Sequence, residues 1–354
     1  MPPFGSKRHE PCSILGTGTA FPFSSNPVRN HELLQQVAAE GRRGRRTEGE
    51  LEELAQSLFE TLGISQRYFS HTPGRPFDTN EPSSVDIGAE AVEAALKDAR
   101  IDPKEVGAIV TATSTPARVT GANAPAIAHR LGIPGAALDI RSGCAGGLIA
   151  FHHAATLVAA TGQVVVAVGA DTFSHLVPPG NPLAAFAFGD GAGAVVLGPS
   201  ANGSGGVRSM AWGADGSRGH LASAPAPFPV TTEALLSGAY FLQGDAEAIA
   251  DIAPQIYRTV TEEALRLAET TIDAVHWVIP HQTSRPALTS LAKAVGVNET
   301  RLVVTVDQHA NCGTAGIYLA LDRALSDERV STGQTLLFAA LGGGLAWASM
   351  VFHT

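Results

Sequence analysis

Cys144 is the first residue whose type and setting could support covalent chemistry. It lies in LDIRSGCAGGLIAFHHAATL, after a short apolar run and at the start of a predicted helix of small residues. The positive end of a helix dipole lowers the pKa of a nearby thiol, and this favours a nucleophilic thiolate. Flanking glycines would allow backbone and substrate to approach closely. The alternative is a small buried hydrophobe, the ordinary role of a free cysteine.

His281 and Asn311 lie in two later segments that could complete such a site. His281 follows a predicted buried strand in VIPHQTS, and Asn311 lies in a polar turn that leads into a helix in VDQHANCGTAGIYLAL. Each residue also has an ordinary structural alternative. His281 could be a hydrogen-bonded core histidine, and Asn311 could be a turn or capping asparagine. With Cys144, they would supply a nucleophile, an imidazole for proton transfer or oxyanion binding, and an amide donor.

Other candidate residues carry weaker signals. Residues 40–50 (EGRRGRRTEGE) contain four arginines, which suit the phosphates of a carrier or coenzyme, although a solvated loop is the alternative. Packing, partner-contact or backbone-ordering roles are predicted for His152, His153, Asp190, His309 and Cys312.

Composition and charge argue against several classes of protein. The 354-residue chain has a net charge of −9 and no basic domain, so nucleic-acid binding is not predicted. The start of the chain lacks a signal-peptide core, and no uninterrupted apolar run is long enough to span a bilayer. Three cysteines in so long a chain predict neither a disulfide framework nor a zinc site. We therefore expect a cytoplasmic protein without a membrane span or a metal.

The elements that must position these residues alternate along the chain. The predicted strands are 106–113, 163–170, 193–198, 275–280 and 334–340, and the predicted helices are 85–100, 145–161, 249–269, 286–295 and 315–325. This alternation predicts an α/β fold with a mostly parallel sheet. The Gly/Ser-rich segment 199–225 is the predicted join between two halves, and no internal repeat is visible in the sequence.

Ordered sequence landmarks run along nearly the whole chain. They are ILGTGTAFP (14–22), TLGISQRYF (61–69), SSVDIGAEAVEAALKDARIDPKEVGAIVTATSTP (83–116), the Cys144 segment, FAFGDGAGAVVLG (186–198), PHQTSRPAL (280–288), HANCGTAG (309–316) and LGGGLAWAS (341–349). In these segments the chain resembles the β-ketoacyl-ACP synthase III family of the thiolase superfamily, where ACP is acyl carrier protein. The resemblance implies a thiolase-like five-layered αβαβα fold from two duplicated halves, 1–200 and 201–354, and a homodimer.

The resemblance also implies the roles of the site residues. Cys144 matches the acylated cysteine, and His281 and Asn311 match the catalytic histidine and asparagine. Gly343, in the triple-glycine turn, would join the Cys144 N–H in an oxyanion hole. Substrates would arrive on the phosphopantetheine of an ACP or of coenzyme A, with no metal or other cofactor.

Departures from the family pattern concern the carrier. Ser57 and Thr61 stand where the family usually has a Trp and an Arg that grip coenzyme A, so delivery by an ACP is favoured. Arg285 keeps the place of an arginine associated with carrier docking. Thr283 and Ser284 replace the Ala–Asn of the usual HQAN, where the family contacts pantetheine.

A further departure concerns the acyl pocket. Thr120 and Gly121 stand where the family commonly has a bulky aromatic followed by proline, which closes the end of the partner's acyl pocket. Smaller side chains should leave more room there. This position predicts a substrate longer than acetyl.

The resemblance implies a condensing enzyme of the acyltransferase class. An acyl chain on Cys144 would be joined to a second thioester by Claisen-type C–C bond formation, after decarboxylation of a malonyl-type unit or loss of an α-proton. The predicted open pocket favours polyketide or other secondary metabolism. The alternatives are a fatty-acid-initiating synthase, an acyltransferase that passes the acyl group to an O or N nucleophile, and an inactive scaffold. Intact Asn311 argues against acyl transfer, and the complete set of site residues argues against the scaffold.

Overall fold

Strands and helices alternate along the chain, as the sequence predicts. In the computed structural model the strands are β1 (Phe4–Ser6), β2 (Glu10–Pro11), β3 (Ser13–Ala20), β4 (Val28–Arg29), β5 (Gln66–Arg67), β6 (Val106–Ala112), β7 (Ala136–Ile140), β8 (Val164–Thr172), β9 (Asp190–Gly198), β10 (Gly206–Ala214), β11 (Ala222–Ser223), β12 (Gln243–Gly244), β13 (Trp277–Pro280), β14 (Thr335–Gly342) and β15 (Ala346–His353). The helices are α1 (Asn30–Glu40), α2 (Glu48–Leu62), α3 (Ser84–Ala99), α4 (Asn123–Leu131), α5 (Gly146–Thr161), α6 (Pro182–Ala187), α7 (Thr232–Leu236), α8 (Ala246–Leu267), α9 (Arg285–Val295), α10 (Val306–His309) and α11 (Gly316–Ser326).

The structure describes most of the chain. It covers all residues except 1–3, 7–9, 24–25, 41–47, 73–74, 77, 79, 179–180, 201–202, 204 and 228. The predicted arginine patch at 40–50 therefore lies largely outside the described residues. Every strand and helix predicted from the sequence is present, with ends displaced by a few residues.

Two large sheets form the framework. In the first sheet the strand order is β3-β9-β8-β6-β7, and in the second it is β1-β10-β15-β14-β13, with β2 beside β10. Strands β6, β7 and β8 run parallel, as do β13 and β14, whereas β9, β10 and β15 pair with their neighbours in antiparallel fashion. The prediction of a mostly parallel sheet is therefore wrong, and both sheets are mixed. A strand that is buried on both faces has the same apolar pattern in either direction, so the sequence does not reveal its orientation.

Five layers result from the way helices cover these sheets. Helices α3 and α4 pack on the outer face of the first sheet, and α8 packs on the outer face of the second, with α9 beside it. Helices α5 and α11 lie between the two sheets and contact strands of both. The predicted αβαβα architecture is confirmed.

Alternating side chains on the central strands explain this layering. On β8, Val165 and Ala167 enter the cluster between the sheets, whereas Val166 and Val168 enter the cluster beneath α3. On β14, Phe338 faces the cluster between the sheets. Successive strand residues point to opposite faces, so an uninterrupted apolar run serves two cores at once.

Helix α5 is the apolar centre of the molecule. With the preceding turn, Gly143–Thr161 is long and apolar enough to cross a membrane by length and composition alone. Most of the α5 side chains are instead buried against the sheets on either side, including Leu148, Phe151 and Ala154. A helix that is apolar all round is the form expected at the core of a large domain.

The segment 199–225, predicted as a join, contains a full strand. Strand β10 pairs with β15 along its length and also receives β1 and β2 from the amino terminus. The first sheet is thus drawn from residues 13–198, and the second from residues 206–353 with β1 and β2 added. The division into halves at residue 200 remains a prediction.

Candidate active site

The predicted site residues lie where several elements end close together. Cys144 follows β7 and immediately precedes α5, His281 follows β13, and Asn311 lies between α10 and the turn that begins α11. The turn and α5 are in very close contact, because a Cβ added at Gly147 would lie 2.2 Å from the Thr314 carbonyl oxygen. The tertiary structure therefore brings segments far apart in sequence to one region between the sheets.

The backbone of Cys144 is packed directly against the triple-glycine turn. A Cβ at Gly342 would lie 2.3 Å from the Cys144 nitrogen, and a Cβ at Gly143 would lie 2.6 Å from the Gly343 nitrogen. Gly143 also has a φ of +52°, in the left-handed region. The two turns that carry the N–H groups predicted to form the oxyanion hole are thus packed at a distance that glycine at 143 and 342 permits.

The thiol of Cys144 differs from the sequence prediction. The residue is half-buried, and burial together with the nearby Asp171 carboxylate raises the pKa of Cys144 to about 12. The sequence predicted a lowering by the helix dipole, whereas burial and Asp171 shift the pKa of this thiol in the opposite direction. The resting form is a neutral thiol, and its proton must leave as the nucleophile attacks.

His281 is a buried imidazole whose two ring nitrogens have no hydrogen-bond partner among the described residues. Burial lowers the pKa of His281 to about 4, so the ring is neutral near pH 7. Its backbone is held by a 2.8 Å hydrogen bond from the His281 N–H to the Ala339 carbonyl. Gly316 lies against the ring, since an added Cβ would be 3.1 Å from Nδ1. A neutral imidazole with no protein partner is available to a substrate.

Asn311 is fixed through its backbone and one side-chain atom. The Asn311 N–H donates to the Ala187 carbonyl at 3.0 Å, and the Gly189 N–H donates to the Asn311 carbonyl at 3.1 Å. The side-chain oxygen Oδ1 accepts from the Gly313 N–H at 2.9 Å. Because Oδ1 is used in this way, the amide group Nδ2 is oriented as the donor that can reach a ligand.

Asp171 organises the site, although no sequence pattern indicated this residue. Its Oδ2 accepts from the Thr314 N–H at 2.7 Å and from the Thr314 hydroxyl at 2.8 Å. Its Oδ1 accepts from donors in the segment from Thr113 to Thr115. Burial raises the pKa of this carboxyl, and these donors oppose the shift. Asp171 thereby ties the end of β8 to the turn that follows Asn311.

Gln282 is a second positioning residue that was not predicted from the sequence. Its Nε2 donates to the Pro280 and Val303 carbonyls, and its Oε1 accepts from the Thr305 and Val306 N–H groups. The buried amide therefore joins the end of β13 to the start of α10. The only signal in the sequence was a glutamine next to a strand-end histidine. The partners of Gln282 at Val303 and Thr305 lie about twenty residues further along the chain.

The predicted carrier-binding residues lie on the surface around α9. Ser284 is the N-cap of α9, where its hydroxyl accepts from the Ala287 N–H, and Thr283 beside it is half-buried. Arg285 is exposed and forms a 3.3 Å ion pair with Glu299. It also packs against Gly63 at the end of α2. Ser284 thus has a local capping role, and Arg285 borders a groove between α2 and α9.

Thr120 and Gly121 are not brought to the Cys144 region by any contact in the described chain. Both lie in an exposed loop after β6, and a Cβ at Gly121 would have open space around it. The same loop exposes 71% of Val119. These residues could line an acyl pocket only in a partner subunit, as the resemblance implies.

The remaining candidates have structural contacts. The Asp190 carboxylate accepts from the N–H and hydroxyl of both Ser70 and Ser174, which is the backbone-ordering role predicted for it. His309 stacks on Phe21, and the buried Cys312 thiol donates to the His309 carbonyl. His152 lies 3.5 Å from Glu10, and its neighbour His153 lies against Trp212.

Comparison with family models identifies two long matches. Residues 138–216 match the model of 3-oxoacyl-(acyl-carrier-protein) synthase III, and residues 265–354 match its C-terminal model. Over these two regions the chain is β-ketoacyl-ACP synthase III-like. It is therefore a ketosynthase-type enzyme of the acyltransferase class with a thiolase-like fold. The two matched regions contain Cys144, His281, Asn311 and Gly343.

Solved structures support this assignment to the β-ketoacyl-ACP synthase III family. The synthase III of Thermus thermophilus is 27% identical, with a TM-score of 0.80 over 97% of this chain and 99% of that chain. The priming β-ketosynthase of the R1128 polyketide pathway is 25% identical, with a TM-score of 0.81 over 97% of this chain and 96% of that chain. The synthase III of Aquifex aeolicus, 24% identical, matches in fold with a TM-score of 0.81 over 97% of this chain and all of that chain.

Proposed function

We propose that this enzyme joins an acyl chain carried on Cys144 to a second, ACP-bound thioester in polyketide or related secondary metabolism. The observation that carries the proposal is the buried, neutral His281, whose ring nitrogens have no partner among the described residues, near the Asn311 turn. It is accompanied by the close backbone packing of residues 143–144 against residues 342–343. Two neutral donors, His281 and Asn311, can bind the carbonyl of one thioester, while a separate oxyanion hole binds the carbonyl of another. Such a site suits two successive reactions at carbonyl groups.

Acyl loading is the first reaction. The Cys144 sulfur attacks the carbonyl of an acyl thioester as its proton leaves, and the N–H groups of Cys144 and Gly343 bind the oxyanion that forms. Collapse of this intermediate breaks the bond to the carrier sulfur, and the carrier leaves as a thiol with the proton. Because the charge on oxygen exists only in the transition state and intermediate, these donors lower the barrier rather than merely tighten binding.

Condensation is the second reaction. His281 and Asn311 donate hydrogen bonds to the thioester carbonyl of a malonyl-type unit, and loss of CO₂ leaves an enolate there. The enolate carbon attacks acyl-Cys144, a C–C bond forms and the C–S bond to Cys144 breaks. The released thiolate takes up a proton from solvent, which restores the resting thiol. A neutral imidazole can donate from Nε2 to this oxygen when Nδ1 carries no proton. The product is a β-ketoacyl thioester on the second carrier.

Carrier delivery by an ACP is supported by the surface near α9. Arg285 lies at the first position of α9, with 46% of its side chain exposed, and Lys293 lies in the last turn of the same helix. Ser57 and Thr61 are exposed on α2, where the family has its coenzyme A grip. An exposed cationic edge without that grip favours an acidic carrier protein over the free coenzyme.

A homodimer and an acyl substrate longer than acetyl form part of the proposal. Strand β7 is an edge strand of the first sheet, and its Leu138 side chain is 37% exposed. An uncovered edge strand can pair with another chain. Pairing of two copies would cover this edge, and the loop with Thr120 and Gly121 would then contribute to the partner's pocket. The free cysteines support a cytoplasmic location.

The polyketide assignment is supported by the likeness to a priming ketosynthase. That relative belongs to the R1128 polyketide pathway and is 25% identical to this chain. The small residues at 120 and 121 also favour substrates other than the acetyl group that initiates ordinary fatty acids. An acyltransferase with an O or N acceptor would not require the oriented Asn311 amide.

Intact-protein mass spectrometry tests the proposal directly. Wild type is incubated with acyl-ACPs and acyl-CoAs of graded chain length, and then with malonyl-ACP. We expect a mass adduct with chains longer than acetyl, faster loading from ACP, no adduct on Cys144→Ala, and a β-ketoacyl-ACP product that Asn311→Ala does not form. An adduct on Cys144→Ala would refute the nucleophile. Transfer to an alcohol or amine with no C–C product would favour the acyltransferase alternative.

A further inference from the structure

Arg67 is a fully buried cation behind the candidate site. Its Nη1 donates to Asn30 Oδ1 at 2.7 Å, its Nη2 donates to the Phe186 carbonyl at 3.0 Å, and the guanidinium lies 5.2 Å from the centre of the Phe186 ring. Among the described residues, Nε has no hydrogen-bond partner. In the part of the chain that the structure describes, no carboxylate lies within ion-pair distance of Arg67. Its charge is therefore neutralised only by oxygen dipoles and an aromatic ring.

Stability alone does not explain this residue. Removing a charge from water without a counter-ion is costly, and an apolar side chain of similar volume usually stabilises a core at least as well. Burial lowers the pKa of Arg67 to about 9, which shows the same loss of solvation. The role of Arg67 therefore depends on which backbone segments its contacts hold in place.

One contact leads directly to Asn311. The Phe186 carbonyl, which accepts from Arg67, is one residue before the Ala187 carbonyl that accepts the Asn311 N–H. Gly189, whose N–H donates to the Asn311 carbonyl, also packs against Arg67, since an added Cβ would be 3.1 Å from the Arg67 Cβ. Arg67 thus supports both ends of the strip 186–189 that brackets the Asn311 backbone.

Neighbours of Arg67 hold the other segments around the site. The Ser65 N–H and hydroxyl both donate to the Asp307 carbonyl in α10, at 2.8 and 2.7 Å. The Tyr68 carbonyl accepts from the Asp190 N–H at 2.9 Å. The short segment 65–68 therefore contacts α10, which precedes Asn311, and Asp190, which follows the strip 186–189. Arg67 anchors this segment to Asn30 at the start of α1.

We infer that Arg67 is a positioning residue for Asn311, and therefore for the condensation step. This inference rests on the proposed function, in which Asn311 Nδ2 binds the carbonyl of the second substrate. In that function, acyl loading uses the Cys144 and Gly343 N–H groups and does not need Asn311 in place. A displacement of about 1 Å in a catalytic group costs on the order of 100-fold in rate.

The two half-reactions separate this role from a purely structural one. In Arg67→Met, we expect loading of Cys144 to stay within about threefold of wild type, while product formation from pre-acylated enzyme and malonyl-ACP falls roughly 10- to 100-fold. Arg67→Lys should recover part of the loss, because an ammonium can bond to Asn30 or to Phe186 but lacks the fork that reaches both. Rapid-quench assays of each step measure the ratio of the condensation rate to the loading rate.

Arg301→Met is the matched control. Arg301 also donates to two backbone carbonyls, of Ile272 and Val275, and has no contact with residues 186–189 or Asn311 among the described residues. Its loss should lower the melting temperature without changing the ratio of the two rates. If Arg67→Met does not fold, Arg67→Lys and Asn30→Ala are measured in its place, with the same selective loss expected.

Two outcomes would overturn the role of Arg67. One is condensation at the wild-type rate in a folded Arg67 variant, and the other is an equal fall in both half-reactions. Failure of the proposed function would look different, because wild type would then form no condensation product that depends on Asn311.

Discussion

At the scale of single residues, the candidate site contains a neutral thiol and a neutral imidazole. The pKa of Cys144 is raised to about 12, and the pKa of His281 is lowered to about 4, by burial in both cases. At pH values between about 4 and 12, Cys144 and His281 therefore do not form a resting thiolate–imidazolium pair. The proton must leave the sulfur as the carbonyl oxygen gains charge, so reactivity depends on a substrate that fills the oxyanion contact.

The alkylation rate of Cys144 tests this protonation state. Only the thiolate reacts with iodoacetamide, so the rate should rise about tenfold per pH unit from pH 7 to 10 without a plateau. Cys12 and Cys312 are fully buried, and Cys144→Ala should accordingly show almost no labelling of the native protein. A plateau below pH 8 would show instead that the helix start lowers the thiol pKa.

Asp171→Asn tests the buried carboxylate that holds the Asn311 turn. An amide group would replace one of the acceptor oxygens and face N–H and O–H donors, so we expect a loss of about 1–3 kcal/mol or more in the free energy of unfolding. The alkylation profile of Cys144 should also shift to lower pH, because Asp171 raises that pKa. Urea unfolding measures the first effect. Asp86→Asn, at the half-buried N3 position of the α3 capping box, is the control and should cost less.

At the scale of elements, the site depends on the close contact between the turn before α5 and the turn after β14. The glycines at 143 and 342 let the two backbones approach within distances that any side chain would prevent. Helix α5 is held by both sheets, and β14 is a central strand of the second sheet. Neither element can shift easily to relieve a collision, because protein interiors are close-packed.

Gly342→Ala tests this contact. The new methyl group would lie 2.3 Å from the Cys144 nitrogen, so the two turns must separate. We expect acyl loading to fall about 100- to 1,000-fold, as for loss of an oxyanion-hole donor. Gly216→Ala is the matched control, since an added Cβ there meets nothing within 4 Å. Equal loading rates in wild type and Gly342→Ala would contradict the assignment of this contact to the oxyanion hole.

At the scale of the whole molecule, burial of histidines couples stability to pH. His281 and His309 both have their pKa lowered to about 4 by burial. Between pH 6.5 and 4 the unfolded chain binds protons at these positions and the folded chain does not. Stability contributed by the neutral rings is therefore complete above pH 6.5 and is lost as the pH falls towards 4.

Thermal unfolding at several pH values measures this coupling. Each buried histidine should cost roughly 2 kcal/mol of stability between pH 7 and pH 5. His281→Gln removes one of the two groups, so its stability should fall less over the same range. The buried carboxyls have raised pKa values, so their effect on stability as the pH falls is opposite to that of the histidines. Because they are present in both proteins, the difference in stability loss between wild type and His281→Gln reports the His281 imidazole alone. Identical pH dependence would contradict the burial of a neutral His281.

The sequence alone determined the elements and the identity of the reactive groups. Apolar runs and their turn signals are local, so the strands around Val110, Val166 and Phe338 could be located without coordinates. The segments around Cys144, His281 and Asn311 were equally visible, because each motif is contiguous. The family was also recognisable from these ordered segments.

Only the tertiary structure decided the state of those groups and what holds them. The pKa of Cys144 is governed by burial and by Asp171, which is close in space but not in sequence. The roles of Asp171, Gln282 and Arg67 depend on partners that lie about twenty to more than a hundred residues away. Solvation and long-range hydrogen bonds are set by packing, and no local pattern encodes them. Strand direction was hidden for a related reason, since strands buried on both faces look alike in either orientation.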